Sequence, residues 1–334
     1  EYFGGKNLPI PVQFGTPQGR SATFTDANNQ NVQTPGEYTD FVLKRVRNYS
    51  VAAIDNETLE ASVGRPNAFM EAAASEIDGA LRSLTQDLAG NLYRDQFGVR
   101  GEVANIAALE ITLTNPSDIV FFEVGMTLVS VPAATPAAAT TGGGIGCTID
   151  TINRDNGTFT VTALLGATAI GDALFQLGDA ANGGDPLKMA GLAGWLPATA
   201  PITGVTPDFF QVDRGIDSSR LAGQRYDGTA ETIEEALIGA GSLLFREGGR
   251  PDMVFMNPLS YSELIKSLGS KVVYDVVRSS DVAEVFFDSV RVYTPSGQVS
   301  VVADPNCPTG VAYMVQMDTW KLYSLGMAPK ILMT

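Results

Sequence analysis

The amino-acid sequence predicts an α+β fold in which one long helix and several shorter ones accompany many short strands. Composition is the first observation: 35 glycines and 18 prolines in 334 residues give many turns, and charged residues reach only 18%, below the roughly 25% usual in soluble domains. A helical stripe follows residue 64. Strand-like segments separated by turns fill residues 102–188. The length suits two domains, or one domain with an insertion.

Residues 1–60 predict an extended region, because glycine and proline interrupt this part of the chain too often for a compact domain. We expect an N-terminal arm over residues 1–15 and an extended hairpin over residues 16–60. The main strand is expected over Phe41–Ile54, paired with a stretch around Ser21–Thr25 across a polar tip. Such a hairpin has little hydrophobic content to hold it against its own body, so it needs a partner.

A long helix is predicted within residues 61–101. Apolar side chains recur there every three or four residues, at Phe69, Ala73, Ile77, Leu81, Leu84, Leu88 and Leu92. Pro66 suits the first turn, where a missing N–H costs nothing. A helix of about 28 residues would be roughly 40 Å long.

Residues 102–188 predict a small β-barrel or sandwich inserted into a larger domain. The strand candidates are Leu109–Leu113, Ile119–Val124, Thr127–Val131, Cys147–Ile152, Thr158–Leu164 and Ala173–Gly178. Asp155, Asn156 and Gly157 predict a tight hairpin turn between two of them. The low-complexity stretch Ala133–Gly146 predicts a mobile loop.

The remaining chain predicts helices on a mainly antiparallel sheet, with one unit over residues 189–305 and returning strands over 306–334. A helix is expected over Thr229–Arg246, with Thr229 or Thr232 as its cap. The next helix, Pro258–Leu268, has Asn257 in position to cap it. The expected strands are Met253–Met256, Val290–Tyr293, Val299–Ala303, Val311–Gln316 and Lys321–Leu325.

Charge and hydropathy exclude two classes of function. The 37 acidic residues outnumber the 22 basic ones, giving a net charge of -15, which repels phosphate and opposes sequence-specific nucleic-acid binding. No apolar stretch reaches the ~18 residues needed to cross a bilayer, so no membrane association is expected. The sequence begins at Glu1 without Met, so either a leading segment has been removed or leading residues are omitted here.

The sequence predicts no catalytic, cofactor or metal site. It contains no histidine, which removes the commonest general base and metal ligand. Clustered oxygens in Asp150–Gly157 fit a hairpin turn better than a calcium loop. Glu234 and Glu235 are expected to be solvated on a helix surface. Cys147 and Cys307 are expected to be unbridged thiols.

Lys44, Arg45 and Arg47 form the densest basic spot of this acidic chain. They could guard a strand edge by charge alone. They could instead lie on an acidic neighbouring copy, where opposite charges fix register and orientation. Both interpretations stay open, and the second makes these residues candidate intersubunit contacts.

The order of these parts resembles the Hong Kong 97-type capsid fold of tailed bacteriophages. Three strings also look like stretches of phage major capsid proteins: FVLKRVRNYSVAAI before the long helix, WLP (195–197) with VDRG (212–215), and MNPLSYSELIKSLGSKVVYD (256–275). The resemblance implies an N-terminal arm, an extended hairpin over a neighbour, a spine helix in a peripheral domain, an axial domain and an inserted β module.

The same resemblance implies a structural subunit without enzyme activity or cofactor. It would assemble as hexamers and pentamers into an icosahedral head that encloses double-stranded DNA without reading its sequence. Scaffold, portal and decoration proteins are the implied partners. The implied location is the virion, after assembly in the host cytoplasm.

Three alternatives remain. An encapsulin-like nanocompartment shares the shell fold, and a neighbouring cargo gene rather than a portal gene would favour it. A secreted β-rich binding module predicts a stable monomer. An enzyme is the least favoured class and would require a cleft holding two carboxylates roughly 5–9 Å apart.

Overall fold

The computed structural model describes residues 5–33, 36–53, 66–132, 146–163, 168–179, 186–268 and 290–325. Their strands form a two-stranded ribbon, a closed barrel and a four-stranded sheet, accompanied by helices. This mixture agrees with the predicted α+β class. The predicted loop Ala133–Gly146 lies outside the described residues except for Gly146.

The ribbon, residues 7–44, pairs β1 (Asn7–Gly15) antiparallel with β2 (Glu37–Lys44). The predicted pairing with Ser21–Thr25 is therefore wrong, and the predicted strand Phe41–Ile54 ends at Lys44. The sequence of β1 alternates apolar and polar side chains at the period of a strand with one buried face. Its prolines are tolerated because a two-stranded ribbon has outward-facing N–H positions that need no partner.

A short helix, α1 (Phe24–Gln33), occupies the polar stretch between the two ribbon strands, where a hairpin tip was predicted. Thr23 caps it: the Asp26 N–H donates to Thr23 Oγ1 over 3.3 Å, and the Thr23 hydroxyl donates to the Asp26 carboxylate over 2.6 Å. This exchange satisfies a backbone N–H that would otherwise lack a partner at the helix start.

The predicted long helix is confirmed as α2 (Pro66–Tyr93), which has 28 residues. Its last turns are buried at Gly90, Asn91 and Tyr93. This end of the helix contacts both the barrel and the segment that precedes the four-stranded sheet. Helix α2 therefore connects the barrel with the region of the four-stranded sheet.

The predicted β module is a closed barrel in the order β3-β4-β7-β6-β5-β8. Its strands are β3 (Gly101–Ala107), β4 (Glu110–Leu113), β5 (Thr127–Pro132), β6 (Cys147–Asn153), β7 (Thr158–Val161) and β8 (Asp172–Gln176). The predicted hairpin turn is confirmed between β6 and β7, where Gly157 has a φ of 65°, a conformation that favours glycine.

One strand candidate of this module is wrong. Ile119–Val124 overlaps a 3-10 turn, Pro116–Phe121, rather than a strand. Its apolar run is nevertheless buried, because Phe122 stacks on Phe159 inside the barrel with ring centroids 5.2 Å apart. A short apolar run predicts burial well and the type of element poorly.

The four-stranded sheet has the order β10-β11-β9-β12, with two antiparallel pairings and one parallel pairing. Its strands are β9 (Met253–Met256), β10 (Val290–Thr294), β11 (Gly297–Ala303) and β12 (Ala312–Val315). The mainly antiparallel sheet is confirmed. The predicted strand Lys321–Leu325 is wrong, because none of the strands in the described chain covers it.

The short helices α3 (Leu192–Trp195) and α4 (Ser218–Leu221) precede this sheet, and α5 (Ile233–Arg246) and α6 (Pro258–Leu268) pack on one of its faces. Both predicted caps are confirmed. Thr232 and Glu235 form a reciprocal capping box at α5. The Asn257 side chain accepts from the Leu259 N–H over 3.0 Å at α6. The other face packs on Tyr93 at the end of α2.

Replacing Gly90 with Ala is expected to destabilise the protein by about 1–2 kcal/mol, although Ala favours helices by about 1 kcal/mol. A Cβ at this position would lie 2.6 Å from Cε1 of Phe121. The Phe121 ring would therefore have to shift away from α2. Gly79→Ala in the same helix meets nothing within 4 Å and should stabilise the protein by about 0.5–1 kcal/mol. Urea unfolding midpoints check this contrast, and equal effects of the two changes would contradict it.

Candidate assembly interface

The most buried side chain that attaches the ribbon to the rest of the described chain is Phe41, which is only 4% exposed. Its ring makes edge contacts with Trp195 and Phe209, at centroid distances of 5.3 and 6.4 Å. Ile10 and Phe14 of β1 pack against the same cluster. The expectation that the hairpin has little hydrophobic content to hold it is therefore wrong at this point.

The aromatic pocket, formed by Trp195, Phe209 and Phe210, is built by a tight turn facing the end of α3. Phe209 and Val212 bridge across this turn, and Phe210 and Gln211 take positive φ values of 48° and 70°. The turn presents the carbonyl of Phe210 to the N–H of Val42 over 3.1 Å. Strand β2 is thus held by a hydrogen bond beside its buried aromatic ring.

Arg214 fixes the two walls of the aromatic pocket to each other. Its guanidinium donates to the carbonyls of Gly194 and Trp195 over 2.9 and 3.0 Å and lies 3.9 Å from the centre of the Phe209 ring. Burial, together with the charge of Arg225, lowers the pKa of Arg214 to about 10, so it remains a cation at neutral pH. The WLP and VDRG strings therefore meet here.

The three predicted contact residues, Lys44, Arg45 and Arg47, are exposed where the ribbon leaves the pocket. We call them the basic strip. Large apolar side chains are also exposed along the ribbon, in the helix at its other end and just after Lys44, and the described residues leave them uncovered: Phe24, Val32, Tyr38, Tyr49 and Val51. The exposed fraction reaches 86% for Phe24 and 85% for Val51. Exposed aromatic and apolar groups beside cations are typical of a surface that binds another protein.

The basic strip lines a cleft of about 1410 Å³. Its other walls come from the end of α2, from residues 186–190 and 207–211, and from the C-terminal residues 319–325. Widely separated parts of the chain thus border one open surface. The size suits a protein segment rather than a small metabolite, because small-molecule pockets are usually about 300–1,000 Å³ and more enclosed.

A buried ion network lies behind this cleft, where the chain enters and leaves the barrel. We call it the junction: Asp87 of α2, Arg100 before β3, and Asp179 and Lys188 after β8. Arg100 and Lys188 each bind both carboxylates, with N–O distances of 2.7–3.2 Å. The junction contains two positive and two negative charges, so it is electrically balanced.

The junction is largely shielded from water, since the exposed fractions of its side chains range from 7% for Lys188 to 18% for Asp179. Burial alone would raise the pKa of Asp87. The charges of Arg100 and Lys188, with hydrogen bonds from Lys188 and Asn48, outweigh it and lower that pKa below its ordinary value of 3.8. Ionised Asp87 therefore stabilises the fold at neutral pH.

The wild type is expected to have a larger free energy of unfolding than Asp87→Asn at neutral pH. This difference is expected to shrink as the pH falls. A carboxyl whose pKa is lowered by folding contributes fully above its unfolded pKa and loses that contribution as pH falls through the folded value. The difference should therefore be constant above about pH 5 and shrink below pH 3.8. Urea titrations of both proteins from pH 7 to pH 3 measure it, and a difference that grows on acidification would contradict the assignment.

Two further contacts hold the barrel against the rest of the chain. Arg94, just after α2, binds Asp118 over 2.6 Å and lies 5.0 Å from the centre of the Phe121 ring. Burial raises the pKa of Asp118 despite this ion pair. At the start of the same 3-10 turn, the Thr309 hydroxyl donates to the Asn115 side chain. The barrel is thus held by α2 and also by the loop before β12.

Other candidate chemistry is sparse. Cys147 and Cys307 are free and buried, as expected, and burial followed by the charge of Asp304 raises the pKa of Cys307 to about 12. Over the ranges that the structure describes, acidic and cysteine side chains form no cluster able to hold a metal ion. The helices of those ranges are too short or too polar to cross a bilayer.

Residues 168–331 match the family model described as SU10 major capsid protein. The matched stretch, just short of half the chain, begins at β8 and includes Lys188, the aromatic pocket and the four-stranded sheet. No curated protein and no solved structure matches the chain. The family match, on a chain that exposes a broad apolar and basic surface, supports a phage major capsid protein with a structural role.

Proposed function

We propose that this chain is the major capsid subunit of a tailed bacteriophage and tiles into an icosahedral head around double-stranded DNA. Its fold would be of the Hong Kong 97 type, with α2 as the spine helix and the barrel as an inserted domain. The units would be the arm (1–15), extended hairpin (16–60), peripheral domain (61–101), β module (102–188), axial domain (189–305) and returning C-terminal segment (306–334).

The observation that carries this proposal is the ribbon, which is anchored at Phe41 and exposes apolar groups on either side of that anchor. Exposing Phe24, Tyr49 and Val51 to water does not stabilise a monomeric protein. A neighbouring copy that covers them would gain hydrophobic contact area. Repeated head-to-tail contacts of this kind close into rings and shells without any active site.

The basic strip fits the same assembly. The chain carries a net charge of -15, so a neighbouring copy is negatively charged as a whole. Three exposed cations beside the cleft would attract it and fix its orientation, since complementary charges act mainly on specificity and association rate. We therefore favour the intersubunit interpretation of Lys44, Arg45 and Arg47 over the guarded strand edge. Hexamers and pentamers would be the resulting assembly units, with scaffold, portal and decoration proteins as further partners.

The triple variant Lys44→Glu, Arg45→Glu, Arg47→Glu is expected to reduce shell yield about tenfold or more, because each like-charge contact between copies costs several kcal/mol. All three side chains are exposed, and the melting temperature of the unassembled variant checks that the subunit still folds. Electron microscopy and sedimentation of the purified full-length protein, with and without a co-expressed scaffold, measure the outcome.

A matched control reverses three exposed cations away from the ribbon: Arg250→Glu, Lys266→Glu and Arg291→Glu. It makes the same change in net charge, so it separates a local contact from general repulsion. Normal shells from the basic-strip variant would remove these residues from the interface. A wild-type protein that stays a monomer at high concentration even with scaffold would remove the capsid function.

A further inference from the structure

Among the described residues, the hydrogen bonds that tie the nine residues after the ribbon, 45–53, to the rest of the chain come from a single side chain. Asn48 donates to Oδ2 of Asp87 over 2.6 Å and accepts from Nζ of Lys188 over 3.3 Å. No other hydrogen bond or ion pair of residues 45–53 joins them to the described remainder of the chain. We call residues 45–53 the trailing segment.

Asn48 differs from the other members of this cluster because it is neutral and its residue is exposed. The junction is balanced without it, since Arg100 and Lys188 together contact both Asp87 and Asp179. Asn91 also donates to Oδ2 of Asp87 over 3.0 Å. Withdrawing Asn48 therefore leaves no unpaired buried charge, whereas withdrawing any of the four ionic residues does.

The contacts of Asn48 are also replaceable by solvent. Asp87 Oδ2 and Lys188 Nζ both face the trailing segment, and water can accept and donate where the carboxamide does now. The covalent neighbour upstream, β2, is held separately by Phe41 in the aromatic pocket. The trailing segment is consequently fixed at its start by a hydrophobic anchor and in its middle by hydrogen bonds that can break without leaving a buried charge unpaired.

We propose that Asn48 is a releasable latch, which lets the trailing segment move away from the cleft while the barrel keeps its seat on α2. Because residues 43–49 line the cleft, release would change the shape of that surface without unfolding the junction. This conformational device is a property of the single subunit and does not depend on the proposed capsid function.

The test uses spin labels on the full-length, unassembled subunit with Ser50→Cys and Glu76→Cys, both at exposed positions. The two native thiols are buried and remain unlabelled. Adding Asn48→Ala should at least double the width of the distance distribution between the labels. A second pair, Glu76→Cys and Asn156→Cys, reports the barrel and should keep its width. The melting temperature should fall by no more than about 5 °C, because Asn48→Ala removes hydrogen bonds to charged groups but leaves no buried charge unpaired.

Asn29→Ala is the matched control, since Asn29 is an exposed asparagine of α1, and it should leave both distributions unchanged. An unchanged 50–76 distribution in Asn48→Ala would overturn the latch. A broadened 76–156 distribution in the same variant would also overturn it, because the junction would then depend on Asn48. Neither outcome bears on whether the protein forms shells, so this test and the assembly test can fail separately.

Discussion

Replacing Lys188 with Met is expected to lower the free energy of unfolding by about 3–5 kcal/mol, because it leaves two buried carboxylates facing one guanidinium. Lys188 is the least exposed member of the junction and contacts both Asp87 and Asp179. Met keeps most of the apolar stem, so the loss reports the charge rather than the packing. Urea unfolding at pH 7 measures it.

Two controls identify the cause of that loss. Lys266→Met removes an exposed lysine of α6 and should change stability by less than about 0.5 kcal/mol. Adding Asp179→Asn to Lys188→Met restores the charge balance with Arg100 and Asp87. The double variant should therefore be more stable than the sum of the two single losses. A loss below about 1 kcal/mol for Lys188→Met would show that the junction is hydrated and contributes little.

The elements that sequence predicts well here are those whose signals are local. The long helix has a continuous apolar stripe and a proline in its first turn, and it is found over Pro66–Tyr93. Thr232 and Asn257 act as caps where their spacing from the following helix predicts caps. Asn156 and Gly157 turn the chain between β6 and β7. Each signal depends on residues only a few positions apart.

The sequence predicts the ribbon pairing wrongly when proline is interpreted only as a strand breaker. Pro9 and Pro11 sit opposite Val42 and Asp40 in the ladder, where a two-stranded edge tolerates a missing N–H. The alternation of Leu8, Ile10, Val12 and Phe14 was the available signal for β1. This alternation alone does not show which surface the strand packs against. That surface, the aromatic pocket, is known only from the structure.

The junction had no sequence signal that could have identified it. Its four members come from positions 87, 100, 179 and 188, and each looks like an ordinary surface charge in its own segment. They meet because closing the barrel brings its first and last strands together at α2. A charge cluster that forms only when distant segments fold together cannot be predicted from the spacing of its residues in the sequence. The basic strip is visible in the sequence, because its three cations lie within four consecutive residues, and its role as an intersubunit contact stays a prediction.

Replacing Phe41 with Ala is expected to release the ribbon from its own subunit and to prevent assembly. Deleting a buried phenylalanine ring costs about 3–5 kcal/mol when the site cannot collapse, and the aromatic pocket is held open by Arg214 and by the Phe209–Val212 turn. The loss should be confined to the ribbon, because the barrel and the four-stranded sheet have separate cores. Hydrogen exchange of the amides that pair β1 with β2 should accelerate at least about a hundredfold.

Tyr38→Ala is the matched control, since Tyr38 lies on the same strand but is 69% exposed. It should leave exchange of the ribbon nearly unchanged, because its ring contributes little to the fold of the single subunit. Both variants should still reduce shell formation, Phe41→Ala by misplacing the ribbon and Tyr38→Ala by removing an apolar contact from it. If Phe41→Ala assembled normally while its ribbon exchanged freely, a neighbouring copy would be able to position the ribbon without the anchor. The aromatic pocket would then position the ribbon only in the unassembled chain.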